Sequence, residues 1–268
     1  MPAFPAVDGM PLRADLLTTN PGSARDFYQY LFGWSYQDST EGRTMSTLEG
    51  LPISAVLDSS EDNRWRVCFH ADDVADTLTR ARDLGAKVLH EPQELADGSH
   101  MAVFEDPTGA LVGLLRQPGQ QSFFAAGEPG APVWFELIAG EKFDEAVNFY
   151  HELFGWNIAI QQRTADEGVA IAMHDGAAFA GISTGTVSAW SGWVAYFGVL
   201  DINAAVKTTK KNGGEVAVPP ADTEFGPMAT VVDSVGATTI LCEVPPPPPE
   251  DIRESDPLEG IDLSQFGM

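Results

Sequence analysis

Two acidic residues stand in strand-like segments with apolar neighbours on both sides. Asp15 lies in Leu12-Arg13-Ala14-Asp15-Leu16-Leu17, and Glu136 lies in Trp134-Phe135-Glu136-Leu137. A carboxylate drawn into an apolar strand has to be paired, hydrogen-bonded or protonated. Left unpaired, it is pushed toward a higher pKa by desolvation and becomes a general base tuned toward neutral pH. Paired, it is structural, capping backbone NH groups or bound to Arg13 or Arg66. Both alternatives stay open for Asp15 and Glu136. His100, in Gly98-Ser99-His100-Met101, is a third candidate acid or base, set against a plain exposed loop histidine. Trp65, Trp134 and Trp193 fall at or near strand starts, where aromatics can stack on a planar ligand. Arg13 and Arg66 are candidate ligand contacts beside them. His70 beside Asp72 and Asp73 reads as solvated, and His151 and His174 suggest no chemistry. Gly213-Gly214 reads as a helix terminator, not as a phosphate loop.

These candidates sit in a sequence that repeats itself. Phe27-Tyr28-Gln29-Tyr30-Leu31-Phe32-Gly33-Trp34 returns as Phe149-Tyr150-His151-Glu152-Leu153-Phe154-Gly155-Trp156. Trp65 and Asp73 return as Trp193 and Asp201, and Asp106-Pro107-Thr108-Gly109-Ala110 returns as Asp233-Ser234-Val235-Gly236-Ala237. Ordered matches at nearly constant offset, just under half the chain, mean duplication of a whole domain. Asp15 and Glu136 occupy matching positions in the two copies.

Composition bounds the rest. The 268 residues suit two domains of ordinary size, and 44% hydrophobic with 20% charged residues is enough for a core in each. The net charge of −24 argues against nucleic acid and against an anionic membrane surface as partners. No segment reads as a membrane span or signal peptide, which gives a cytoplasmic expectation. Cys68 and Cys242, each in an apolar strand-like segment, read as buried free thiols.

Each half reads as strand, helix, then more strands, twice over. Leu12 to Leu17 alternates as a strand, and Asn20-Pro21 opens a helix that Gly33 closes. Strands follow at Trp34–Tyr36, Thr44–Leu48 and Ile53–Leu57. A second module runs from Arg64 through a helix at Val74–Leu84 to strands ending at Leu115. The expected class is α+β, with two tandem domains of two β-α-β-β-β modules each. Their expected limits are 12–116 and 133–244, with a tail at 1–11, a linker at 117–132 and a proline-rich acidic tail at 245–268.

The phrase F-Y-x-x-L-F-G-W, the D-D-V before a helix and the D-P-T-G-A turn before a last strand resemble the vicinal oxygen chelate superfamily. That superfamily includes glyoxalase I, bleomycin-resistance proteins and extradiol dioxygenases. The resemblance covers both halves. It implies that each pair of modules curls into a cup that holds a small organic molecule. In metal-using members the ligands come from the first, fifth and last strands. Here those positions fall on Asp15, Arg66 and Gly113 in one half, and on Glu136, Val194 and Ile240 in the other. Only Asp15 and Glu136 could ligate, so the expectation is a cup without a tightly bound metal, a divalent ion being the departure from it. The first-choice function is a glyoxalase-like protein that binds and transforms a small metabolite, with Asp15 or Glu136 as base. A sequestering resistance protein and a metalloenzyme with unusual ligands are the alternatives. Four modules in one chain allow a monomer as readily as a homodimer.

Overall fold

Asn20 starts the first helix as the sequence predicts. Its side chain accepts a hydrogen bond from the Ser23 backbone N at 3.1 Å, and Pro21 follows where a missing N–H costs nothing. The helix ends at Gly33, whose φ of 74° is the left-handed conformation that glycine enters without penalty. Asp73 and Asp201 cap the two later helices that follow the fifth-strand positions.

A computed structural model gives the fold and describes residues 4–5, 7–38, 42–61, 63–117, 121–122, 128–164, 166–185 and 191–246. Trp190 and the chain beyond Pro246 lie outside the described residues. In chain order the elements are β1 (Phe4–Pro5), β2 (Pro11–Thr18), α1 (Pro21–Phe32), β3 (Ser35–Asp38), β4 (Arg43–Leu48), β5 (Leu51–Asp58) and β6 (Arg64–His70). Then come α2 (Val74–Asp83), β7 (Lys87–Glu94), β8 (His100–Glu105), β9 (Leu111–Arg116) and β10 (Gln121–Ser122). The second half holds β11 (Pro132–Ile138), α3 (Phe143–Phe154), β12 (Asn157–Arg163), β13 (Gly168–His174), β14 (Ala177–Ser183) and β15 (Gly192–Val199). It closes with α4 (Ile202–Lys211), β16 (Glu215–Thr223), β17 (Gly226–Val232) and β18 (Thr238–Glu243). No helix among the described residues is long and apolar enough to cross a membrane.

Each half forms one eight-stranded mixed sheet. The orders are β3-β4-β5-β2-β6-β9-β8-β7 and β12-β13-β14-β11-β15-β18-β17-β16. The same order twice confirms the α+β duplication. The two modules of a half join within that half, through antiparallel β2–β6 and β11–β15. Side chains alternate across these strands. Ala14, Leu16, Trp65, Val67 and Phe69 go to one face of the first sheet and join the large core that both halves share. Arg13, Asp15, Arg66 and Cys68 go to the other.

The shared core explains the repeated helix phrase. Phe32, Trp34 and Trp65, each in contact with Tyr28, pack around Phe197 of the other half. Tyr150, Phe154, Trp156 and Trp193 pack in the same way around Phe69. The tyrosines also cross the divide: Tyr28 Oη donates to Asp233 Oδ2 at 2.8 Å, and Tyr150 Oη donates to Asp106 Oδ2 at 2.7 Å. The remaining oxygen of each aspartate holds its own turn, accepting from the backbone N of Thr108 and Ala110 in one case and of Val235 and Ala237 in the other. Thus the D-P-T-G-A turn and the helix phrase are two ends of one contact.

The duplicated unit reaches further toward the N-terminus than the first strand. Trp34 Nε1 donates to the carbonyl of Gly130 at 2.7 Å, and Trp156 Nε1 donates to that of Gly9 at 3.0 Å. Gly9 and Gly130 both have φ near 80°, and a Cβ on Gly9 would stand 2.6 Å from Phe154 Cβ. The segments read as tail and linker therefore hold matching Gly-x-Pro entries, Gly9-Met10-Pro11 and Gly130-Ala131-Pro132, docked on the opposite half.

Burial pushes the pKa of Asp106 and Asp233 up, against the hydrogen bonds that lower it. Each is therefore protonated more readily in the folded than in the unfolded chain. Their contribution to stability is full below the ordinary value of 3.8 and declines as pH rises through the folded pKa. Tyr150→Phe strips one buried carboxylate oxygen of its donor and should cost about 1–3 kcal/mol, read as a lower urea midpoint. Asp106→Asn should flatten the stability profile above pH 4 (approximate bound, from the ordinary carboxylate range). A wild-type urea midpoint in Tyr150→Phe would remove the cross-half hydrogen bond from the account of stability.

Candidate functional site

The first cup gathers its charge on β2 and β6. In register, Asp15 faces Arg66 and Arg13 faces Cys68. Asp15 is wholly buried, at 0% exposure, and both its carboxylate oxygens accept hydrogen bonds. Arg13 Nε donates to Oδ1 at 2.7 Å, while Arg66 Nη2 and Cys68 Sγ donate to Oδ2 at 3.2 and 3.4 Å. Arg13 Nη1 also reaches Gln117 Oε1 at 3.3 Å. Burial and the neighbouring Asp15 push the Cys68 thiol up to about 12, against the pull of Arg66 and Arg13. It is a hydrogen-bond donor here, not a thiolate.

Above this cluster opens a cavity of about 870 Å³, lined by Asp15, Arg43, Leu57, Arg66, Leu95, Met101 and Val103, with His90, Asp58 and Asp97 at its exposed rim. Arg43 is 9% exposed and Arg66 6%. Among the described residues, four buried guanidinium nitrogens have no hydrogen-bond partner: Nη2 of Arg13, Nε of Arg66, and Nε and Nη2 of Arg43. Two of the three guanidiniums bind the one carboxylate, and no hydrogen bond joins the third, Arg43, to it.

The second cup differs at each of these points. Glu136 faces Val194 in register, and its oxygens accept from Ser183 Oγ at 2.5 Å and from the Tyr196 hydroxyl. Burial and the Glu136 charge hold the Tyr196 hydroxyl above its ordinary range. Strand register extends the equivalence to β4 and β13. Arg43 pairs with Leu57, which is level with Leu17, two residues after Asp15. Val169 pairs with Ser183, which is level with Ile138, two residues after Glu136. Arg13, Arg43 and Arg66 therefore correspond to Trp134, Val169 and Val194.

The structure brings Asp15 together with Arg13 and Arg66, the paired alternative, and Trp134 lies beside Glu136 across Gly181. Three candidates lie off the cups. Trp65 and Trp193 are turned away from the cups and buried in the two aromatic clusters, at 6% and 5% exposure. Trp193 Nε1 donates to Tyr150 Oη at 2.7 Å. His100 is exposed at the start of β8, on the same face as Ala102 and Phe104 and off the cavity. His70, read as solvated, is 8% exposed and stands 3.1 Å from Asp72. Arg43 and His90 were missed. Laying β4 of one copy on β13 of the other would have set Arg43 against Val169 and drawn attention to it.

The three positions that the resemblance assigns to metal do not fit a divalent centre. Arg66 brings a permanent cation to the second position. At the third, a Cβ on Gly113 would lie 2.7 Å from Cys68 Sγ and 3.4 Å from Arg66 Nε, so no ligating side chain fits there. Val194 and Ile240 supply no donor in the second cup. No group of three His, Cys, Asp or Glu among the described residues is arranged to hold a metal ion.

Duplicated β-α-β-β-β modules, paired into two cups and joined back to back, define the class of this molecule. The chain belongs to the vicinal oxygen chelate superfamily, as a tandem glyoxalase-like member. Residues 13–115 match the model of the glyoxalase-like domain. The anthracycline biosynthesis protein DnrV of Streptomyces peucetius is 30% identical over 264 residues, covering 88% of this chain and 94% of the relative. CFP32 of Mycobacterium tuberculosis is 28% identical over 242 residues, covering 85% and 92%. Among solved structures, the Mn(II)-bound glyoxalase of Novosphingobium aromaticivorans superposes with a TM-score of 0.62 at 17% identity, covering 88% of this chain and 82% of its own. That likeness concerns the fold.

The two carboxylates should respond unequally to neutralisation. Asp15→Asn leaves buried arginines without their counterion and should cost about 3–5 kcal/mol. Glu136→Gln, in a half-buried site of hydroxyl donors, should cost about 1 kcal/mol. Chemical denaturation of both variants checks the order, and equal costs would sink the ion-cluster account. With Cys68 and Cys242 both pushed up to about 12, neither thiol should react with an aromatic disulfide reagent in the folded chain. Both should react after unfolding.

Proposed function

We propose that this chain is a small-molecule-binding protein whose ligand occupies the cup of the first half, without a tightly held metal. The observation that carries this reading is the 870 Å³ cavity with unpartnered buried guanidiniums in its wall. Its volume is in the range of sites that enclose drug-sized organic molecules. Its lining combines apolar side chains with a few polar groups, as such sites require. The kinship with an anthracycline biosynthesis protein supports an organic ligand over a simple ion.

Holding the ligand is favoured over base catalysis by Asp15. A carboxylate that accepts from two guanidiniums and a thiol is a counterion that orients Arg66. A second reading, turnover in the same cup, is favoured by the arginines, which would stabilise negative charge developing on a bound substrate, and by His90 at the rim as proton carrier. The two halves cover each other's helical faces, which supports a monomer.

Native mass spectrometry with elemental analysis tests the reading. The expected result is one organic ligand per chain and no stoichiometric divalent metal. Leu57→Trp fills the first cup and should abolish the adduct while circular dichroism stays unchanged. A stoichiometric metal, or an adduct that survives Leu57→Trp, would place the chemistry elsewhere.

A further inference from the structure

We propose that the first cup selects small organic anions, binding a carboxylate or similar planar oxyanion through Arg43 and Arg66. The proposal rests on the assignment of the first cup as the ligand site and adds the chemical class of what enters it.

The observations are of three kinds. First, the cup holds cation in excess. Arg13, Arg43 and Arg66 are all at least nine-tenths buried, and among the described residues Asp15 is the one buried carboxylate beside them. Asp15 is bound to Arg13, Arg66 and Cys68, and Arg43 makes no hydrogen bond at Nε or Nη2 among the described residues. A buried cation without a partner is costly unless something supplies the opposite charge. The guanidinium edge made of Nε and one Nη is the fork that a carboxylate meets with two parallel hydrogen bonds.

Second, the excess belongs to one cup. The equivalent positions in the other are Trp134, Val169 and Val194, so the fold does not need the arginines. Third, the wall also carries a set of apolar side chains. Leu57, Leu95, Met101 and Val103 would gain nothing from a bare inorganic ion, whereas an organic body would cover them. Asp58 and Asp97 at the rim disfavour a dianion and so favour a single negative charge.

The test uses the full chain and three probes at constant ionic strength: 2-naphthoate, its neutral analogue 2-naphthamide, and inorganic phosphate. Calorimetric titration should show one naphthoate per chain and at least tenfold weaker binding of the amide, ~1.4 kcal/mol. Phosphate should bind more weakly than naphthoate. Arg43→Gln should weaken naphthoate at least tenfold and leave the amide unchanged. Arg43→Met should raise the melting temperature of the ligand-free protein, because it removes an unpartnered buried charge. Amide binding as tight as naphthoate binding would overturn the anion preference while leaving the first cup as a ligand site. Phosphate binding as tight as naphthoate binding would overturn the organic-body requirement. If neither naphthalene probe binds, the assignment of the first cup falls together with its proposed ligand. Undiminished naphthoate binding by Arg43→Gln, or a lower melting temperature in Arg43→Met, would overturn the role of Arg43.

Discussion

The contact on which the rest of the molecule depends is the exchange of aromatic and acidic groups between the halves. Each half sends a tyrosine from its first helix to the aspartate turn of the other, and each sends a phenylalanine into the other's tryptophan cluster. A sheet with one apolar face must cover it. Here the two sheets and their four α-helices cover one another, and the shared core is continuous across the halves. With the helical faces joined, both concave faces are left outward and open.

That arrangement frees the cups from the work of folding. The residues repeated most faithfully, such as Tyr28 with Tyr150, Trp65 with Trp193 and Asp106 with Asp233, all lie in the joint. The residues that differ most, Arg13 with Trp134, Arg43 with Val169 and Arg66 with Val194, all lie in the cups. Alternation along a strand makes this separation possible, since neighbouring residues answer to opposite faces. Trp65 serves the core while Arg66, the next residue, serves the cavity. One duplicated frame thus carries two interiors of different chemistry.

The same alternation marks the limit of what the sequence made legible. The duplication, the modules and the helix caps were readable because they depend on local spacing and on glycine at fixed offsets. The pairing of Asp15 with Arg13 or Arg66 was also readable as one of two alternatives. The faces were harder. Trp65 and Arg66 both read as candidate ligand contacts from the sequence, although adjacent strand residues cannot share a face. Trp193 followed by analogy. Deciding between faces needs to be known which side carries the helices, and in a sheet with both sides partly apolar the sequence does not say. Arg43 escaped because its importance lies in its pairing with Leu57 on the next strand, a register that composition does not reveal.

Charge gives the first cup its character. The chain as a whole carries −24, so an approaching anion is repelled at distances beyond a Debye length only weakly and near the surface more strongly. Affinity for such a ligand must therefore come from contact inside the cavity, where the low dielectric strengthens each hydrogen bond to a guanidinium. Asp15 sets how much is available there. By taking one nitrogen each of Arg13 and Arg66, it fixes their orientation and neutralises part of their charge. It leaves Arg66 Nε and the Arg43 edge unanswered. Replacing Asp15 by an apolar residue would make the cup more positive yet less ordered. Adding a second carboxylate would satisfy the arginines and close the site to anions. The observed cluster lies between these extremes: enough acid to hold the arginines in place, and too little to occupy them.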